Sequence, residues 1–176
     1  NSGAESLAAL ASPQATLEEL YLLQKLTRGL GSGNVDFRPR RRDFSADSKL
    51  GGVPWLGLKL SEIKDLDAAV VVGSFLRKDH PLFAQRLRQL AKKWGKVSLL
   101  SVSGDDPLIK LHAQVTVSPA ELPLALAAVV KAVAQLKGEA VPAGLEAVKP
   151  CPTSESIAKS LIEGNKRAIF LGNAAE

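Results

Sequence analysis

A single cysteine, Cys151, rules out a disulfide framework and any iron–sulfur or multi-cysteine zinc site formed within this chain. The two histidines, His80 and His112, are far apart in sequence and supply too few ligands for a self-contained zinc site. Aromatic residues are 5% of the 176, which leaves little from which to build a base-stacking platform. Methionine is absent and the chain opens on Asn1, as expected of a processed N-terminus or a piece of a longer protein; the second is the expectation adopted. No stretch approaches the roughly 18 uninterrupted apolar residues of a membrane span, and no signal peptide opens the chain. The longest apolar run in a helical context, 122–130, contains Pro123. The expectation is a soluble, intracellular domain with no direct membrane insertion.

What is present suits one core. Apolar residues make up 45% of the chain, too many for global disorder. Twenty-three Lys and Arg against 18 Asp and Glu leave a formal charge of +5, which is basic without demanding nucleic acid.

Capping and punctuation residues divide the chain. The short apolar run 7–11 fits either a buried strand or the end of a preceding helix. Thr16 and Glu19 form a Thr-x-x-Glu capping box ahead of Leu17, Leu20, Tyr21, Leu23 and Leu26, a wide apolar helical face stopped by Gly29 and Gly31. Residues 34–37 form a short strand. Residues 38–59 follow as a long basic, glycine-rich loop anchored by Trp55. Ser61 caps one helical turn through Lys64.

The run 67–73 is apolar throughout, as in a parallel strand covered on both faces. Pro81 opens a helix in which Leu82, Phe83, Leu87, Leu90, Ala91 and Trp94 face inward, ended by Gly95. Residues 96–102 and 113–117 are the next strands. Ser118 and Glu121, with Pro119 between them, start a helix to about Lys137 and Gly138. Residues 139–152 are a proline-containing connector. Thr153 or Ser154 caps a last helix to Gly164, and 167–171 is a last strand. This alternation predicts one three-layer, Rossmann-like α/β domain over 1–176, a mainly parallel sheet covered by helices and truncated at the C-terminus.

One internal echo bears on function. Val70-Val71-Val72-Gly73-Ser74 and Ile169-Phe170-Leu171-Gly172-Asn173 are both buried strands ending in glycine and a small polar residue, the place where such folds bind nucleotides. Gly73, Ser74, Arg77, Gly172 and Asn173 are therefore vestigial dinucleotide-loop candidates. Neither segment matches G-x-G-x-x-G or a Walker A loop, so the simpler reading is a pair of tight strand-to-loop turns. His80 beside Asp79 could be a held general base, but more simply one of the two caps the helix at Pro81. Asp105-Asp106-Pro107 reads as a turn, Ser101 and Ser103 lack a nucleophile elbow, and nothing beside Cys151 activates its thiol. No catalytic set and no metal set is visible.

Five segments resemble the molybdopterin-oxidoreductase domain of the iron–sulfur peripheral-arm subunit of bacterial NADH:quinone oxidoreductase, respiratory complex I. They are SPQATLEELYLLQKL (12–26), LGSGNVDFR (30–38), PWLG (54–57), VVGSFLRKDHPLFAQRLR (71–88) and IFLGNAA (169–175). The wider relatives, formate dehydrogenases among them, bind a pterin-guanine dinucleotide on loops of the Gly73-Ser74 type. They carry a metal-ligating Cys, selenocysteine or Ser after the segment matching Asn34-Val35-Asp36, where this chain has Phe37-Arg38-Pro39-Arg40. The resemblance thus implies a non-catalytic structural domain without a cofactor of its own. Its parent would pass electrons from NADH through iron–sulfur clusters toward quinone. It would sit on the cytoplasmic side of the bacterial inner membrane, beside other peripheral-arm subunits and away from nucleic acid. An independent nucleotide- or anion-binding module is the alternative, and a nucleic-acid-binding domain a weaker third.

Arg38, Arg40, Arg41 and Arg42 repel one another unless anions neutralise them, and arginine pairs bidentately with carboxylates. Charge reversal of Arg40, Arg41 and Arg42 should leave the melting temperature of this chain nearly unchanged. The same change in the parent should weaken its association with neighbouring subunits, as a pull-down would measure.

Overall fold

The computed structural model describes residues 3–12, 14–37, 51 and 55–175, so the expectations placed on 38–50 lie outside the described residues. The chain divides into two compact units, Asn1–Leu50 and Gly51–Glu176.

In the first unit, run 7–11 contributes a strand, β1 (Ala9–Leu10), which pairs in parallel with β2 (Val35–Asp36). Ser32 ties the two segments together. Its hydroxyl donates to the Leu7 carbonyl at 2.7 Å and accepts the Asn34 N–H at 3.1 Å. Helix α1 (Leu17–Gly29) starts at the Thr16–Glu19 box, where the Thr16 N–H donates to Glu19 Oε2 at 2.8 Å and the Glu19 N–H to Thr16 Oγ1 at 3.3 Å. Its apolar face is largely uncovered. Leu17, Tyr21, Leu22 and Leu26 are exposed, and the one buried residue is Thr27.

The second unit is built on β3 (Ala68–Val72), β4 (Lys96–Ser101), β5 (Ala113–Thr116) and β6 (Arg167–Leu171), all parallel, in the order β5-β4-β3-β6. Strand β3 is paired on both sides and buried at all five positions. Because side chains alternate, it feeds two cores. Ala69 and Val71, with Val97, Leu99 and Phe170, pack on Ala84, Leu87 and Leu90 of α3 (Pro81–Lys92). Ala68, Val70 and Val72, with Leu100, pack beneath Leu122 and Val129 of α4 (Leu122–Lys137) and Ile157 and Leu161 of α5 (Pro152–Glu163). This is the expected three-layer α/β arrangement. Asp67 secures its start: one carboxylate oxygen accepts the N–H groups of Asn165 and Lys166 at 2.9 and 2.8 Å, setting β6 beside β3.

Local features add to the sequence reading and in places correct it. The connection from β4 to β5, residues 102–112, carries no helix. Instead Ile109 enters the α3 core, and Arg88 Nε donates to the Leu108 carbonyl at 2.9 Å. A short helix, α2 (Leu76–Asp79), precedes α3. His80 occupies the N-cap of α3 without a side-chain bond. The turn expected from Ser61 is a 3-10 turn at Ile63–Asp65 with no side-chain cap. Leu82 and Trp94 do not face inward; they are 80% and 90% exposed. Leu82 lies in the open first turn, and α3 has already ended when the chain swings into left-handed backbone at Trp94 (φ 71°).

Helix α4 also differs from the sequence reading. With its leading turn, Pro119–Lys137 spans 19 residues at a mean hydropathy of 1.4, long and apolar enough by length and composition to cross a membrane. Leu122, Ala128, Val129, Ala132 and Ala134 are buried, while Leu124, Val130 and Leu136 are exposed. The Ser118–Glu121 box is formed, and the Ser118 hydroxyl and N–H together hold the Glu121 carboxyl below the usual carboxylate range.

Val71→Asp would put an unpaired carboxylate at the centre of the buried sheet and should cost at least ~3 kcal/mol. Ser98 is buried in β4 and its hydroxyl makes no hydrogen bond among the described residues. Ser98→Ala should therefore be neutral or stabilising by up to about 1 kcal/mol. Urea titrations of the two variants check both signs.

Candidate functional site

The sheet order places a topological switch between β3 and β6, because the chain leaves β3 toward β4 on one side and returns to β6 on the other. Open α/β sheets bind ligands outside the carboxyl ends of strands at such a point. Gly73 and Gly172, noted as an echo in sequence, meet there. The Gly172 N–H donates to the Val72 carbonyl at 2.8 Å, and the Ala174 N–H to the Gly73 carbonyl at 2.9 Å. The two strands end alike and lie side by side, but only β3 is buried throughout: β6 is an edge strand in which Phe170 alone is buried, while Ile169 and Leu171 are 55% and 62% exposed.

The glycines spend their missing side chains on each other's loops. A Cβ on Gly172 would stand 2.5 Å from Ser74 Cβ and 2.7 Å from Ser74 Cα. A Cβ on Gly73, which is left-handed at φ +65°, would stand 2.7 Å from the Ala175 nitrogen. At both glycines the neighbouring atoms belong to the opposite strand-end loop. Asn173 is exposed beside Gly172.

The other candidates line a cavity of about 170 Å³ displaced toward β4, bounded by Ser74, Arg77, Lys78, Ser101, Asp105 and Asp106 among others. The Ser74 hydroxyl is buried and makes no hydrogen bond among the described residues. The cations beside it are engaged locally: Arg77 Nη1 donates to the Asp106 carbonyl at 3.2 Å, and Lys78 Nζ lies 3.7 Å from Asp105 Oδ2. Asp105-Asp106-Pro107 is the turn expected, with Asp106 Oδ1 accepting the Leu108 N–H at 2.8 Å. Drug-sized and cofactor pockets run to about 300–1,000 Å³, so this cavity lies below that range.

Two features were not legible as such. His112 pairs with Ser156 of α5, Nε2 to Oγ at 3.0 Å, a contact across 44 positions that no local motif announces. Cys151, not Thr153 or Ser154, is the N-cap of α5: its Sγ accepts the Ser154 N–H at 3.5 Å, while Ser154 Oγ accepts the Cys151 N–H at 2.8 Å. The Cys-Pro-x-Ser order is the signal, a capping box with proline at the first helical position. The Ser154 N–H holds the exposed thiol below the usual range for cysteine. Lowered pKa means more thiolate near neutral pH. The pH midpoint of Cys151 alkylation by iodoacetamide should thus lie lower in the folded chain than in urea.

The molybdopterin oxidoreductase family model matches residues 1–173. A protein of Staphylococcus haemolyticus (strain JCSC1435) named as a formate dehydrogenase is 36% identical over 98 residues, 53% of this chain and 10% of that protein. Oxidoreductase YjgC of Bacillus subtilis (strain 168) is 34% identical over 98 residues, again 53% and 10%. A Staphylococcus aureus (strain USA300) protein named as a formate dehydrogenase gives the same figures as YjgC. The chain spans about a tenth of the length of these curated relatives. On the match over 1–173, the chain belongs to the molybdopterin oxidoreductase family.

Proposed function

We propose that this chain is a non-catalytic structural domain of the iron–sulfur peripheral-arm subunit of a bacterial NADH:quinone oxidoreductase. Its parent passes electrons from NADH through iron–sulfur clusters toward quinone. The domain lies on the cytoplasmic side of the inner membrane among other peripheral-arm subunits, without direct membrane insertion and without binding nucleic acid. The observation that carries this reading is the mutual packing of Gly73 and Gly172, whose backbones serve each other where a dinucleotide-binding relative would present them to a phosphate. Phe37 and Arg38, at the position where the wider family places its metal ligand, support it. On this reading the domain holds no pterin, since Gly73 and Gly172 turn their backbones toward each other's loops.

One observation favours a second reading, a small-anion-binding module: the buried, unpartnered Ser74 hydroxyl in the cavity beside Arg77 and Lys78.

The test uses the intact parent. The scaffold reading expects iron but no molybdenum by elemental analysis, no pterin fluorescence after oxidative release, and NADH oxidation without formate oxidation. Stoichiometric molybdenum with formate turnover would instead make the domain part of a formate dehydrogenase. Calorimetry of this chain with inorganic phosphate and GDP should show no binding tighter than about 1 mM. Phosphate binding lost in Ser74→Ala would favour the second reading.

A further inference from the structure

Away from the strand ends, the turn after α3 and the loop after β4 form a shallow groove lined by Arg88, Ala91, Lys92, Trp94, Leu108 and Lys110. Its cavity is about 300 Å³ and its lining holds three cations and no carboxylate. Lys92 and Lys110 are exposed and make no ion pair among the described residues. Trp94 and Leu108 are 90% and 54% exposed.

The same two residues are the positive-φ non-glycine residues of the described chain, at 71° and 54°. Left-handed backbone disfavours bulky side chains and favours glycine. Trp94 occupies the position after the C-cap of α3, where glycine is the usual residue, and the Gly95 N–H closes the turn on the Leu90 carbonyl at 3.1 Å. A tryptophan here gains no burial to offset its conformation. Arg88 holds the second strained residue by its carbonyl, so both side chains are presented on a fixed frame. An observed outlier of this kind points toward function, and tryptophan and arginine are the residues enriched at binding hot spots.

We propose that this groove docks an acidic polypeptide segment bearing a large apolar side chain: Trp94 and Leu108 take the apolar group, and Lys92 and Lys110 take its flanking carboxylates. Charge complementarity selects the partner. The cationic patch is small and bordered by carboxylates, Asp65 paired with Lys93 at 3.1 Å on one side and Asp106 bonded to the Leu108 N–H on the other. A short acidic segment fits between these borders, whereas a long nucleic-acid strand would meet them. A single aromatic among aliphatic neighbours is also a poor base-stacking track. The inference stands apart from the scaffold reading, since it uses other residues at another face.

The test takes the full chain in a Trp55→Phe background, leaving Trp94 as the sole tryptophan. The probes are a ten-residue peptide of alternating glutamate and leucine, its lysine–leucine counterpart and a ten-nucleotide oligothymidine. The acidic peptide should bind saturably and blue-shift Trp94 emission. Its affinity, followed by calorimetry, should fall at least tenfold in Trp94→Gly and in the Lys92→Glu, Lys110→Glu double variant. The Trp94→Gly chain should melt at the parental temperature or above, because glycine suits the left-handed backbone. A purely structural tryptophan would instead lower the melting temperature and leave binding alone. The proposal is overturned by no binding of the acidic peptide at millimolar concentration, by binding indifferent to these variants, or by equal binding of the basic peptide. Preferential binding of the oligothymidine would also overturn it, in favour of a nucleic-acid site.

Discussion

The carboxyl ends of β3 and β6 meet backbone to backbone, and much of the second unit follows from that contact. The approach requires two residues without a Cβ, because either substituent would overlap main-chain or Cβ atoms of the opposite loop. With Gly73 and Gly172 in place, β6 pairs with β3 along its whole length, and β3 becomes the interior strand that feeds a core on each face. Asp67 performs the matching task at the other end of the pair. A strand held at both ends leaves little freedom for the crevice between them. The two strand-end loops are packed against each other at that crevice.

The sequence was most legible where one physical signal sufficed. A continuous apolar run marked β3, Pro81 marked the start of α3, and hydroxyl–glutamate boxes marked α1 and the entry to α4. The glycine echo was legible as a pattern, and its lack of a dinucleotide fingerprint argued for turns. That these turns fit against each other depends on strand order, which spacing does not encode. Inward assignment of Leu82 and Trp94 followed helical periodicity past the points where the helix could bury them. The helix-free β4–β5 connection defied the alternation rule because Ile109 and the Arg88 contact supply the cover that a crossover helix gives elsewhere. Cys151 was passed over because thiols are uncommon caps.

Charged groups near the strand ends are largely spent on one another. Arg77 and Lys78 answer the carbonyl of Asp106 and the carboxylate of Asp105, which ties α2 to the β4–β5 loop. Exposed pairs of this kind contribute little stability, typically about 0–1 kcal/mol, but they fix the position of a loop. The same loop brings the Leu108 carbonyl to Arg88 of α3, so one irregular connection lines both the strand-end cavity and the groove at Trp94.

The central claim is that the strand-end glycines exist for packing. The most direct measurement is the stability of Gly172→Ala against Gly104→Ala, since a Cβ at Gly104 meets nothing within 4 Å. The account predicts a loss of roughly 2–3 kcal/mol in the first, from overpacking against Ser74, and a change within about 0.5 kcal/mol in the second. Equal stability of the two variants would contradict it, because the crevice would then have room that the packed arrangement denies.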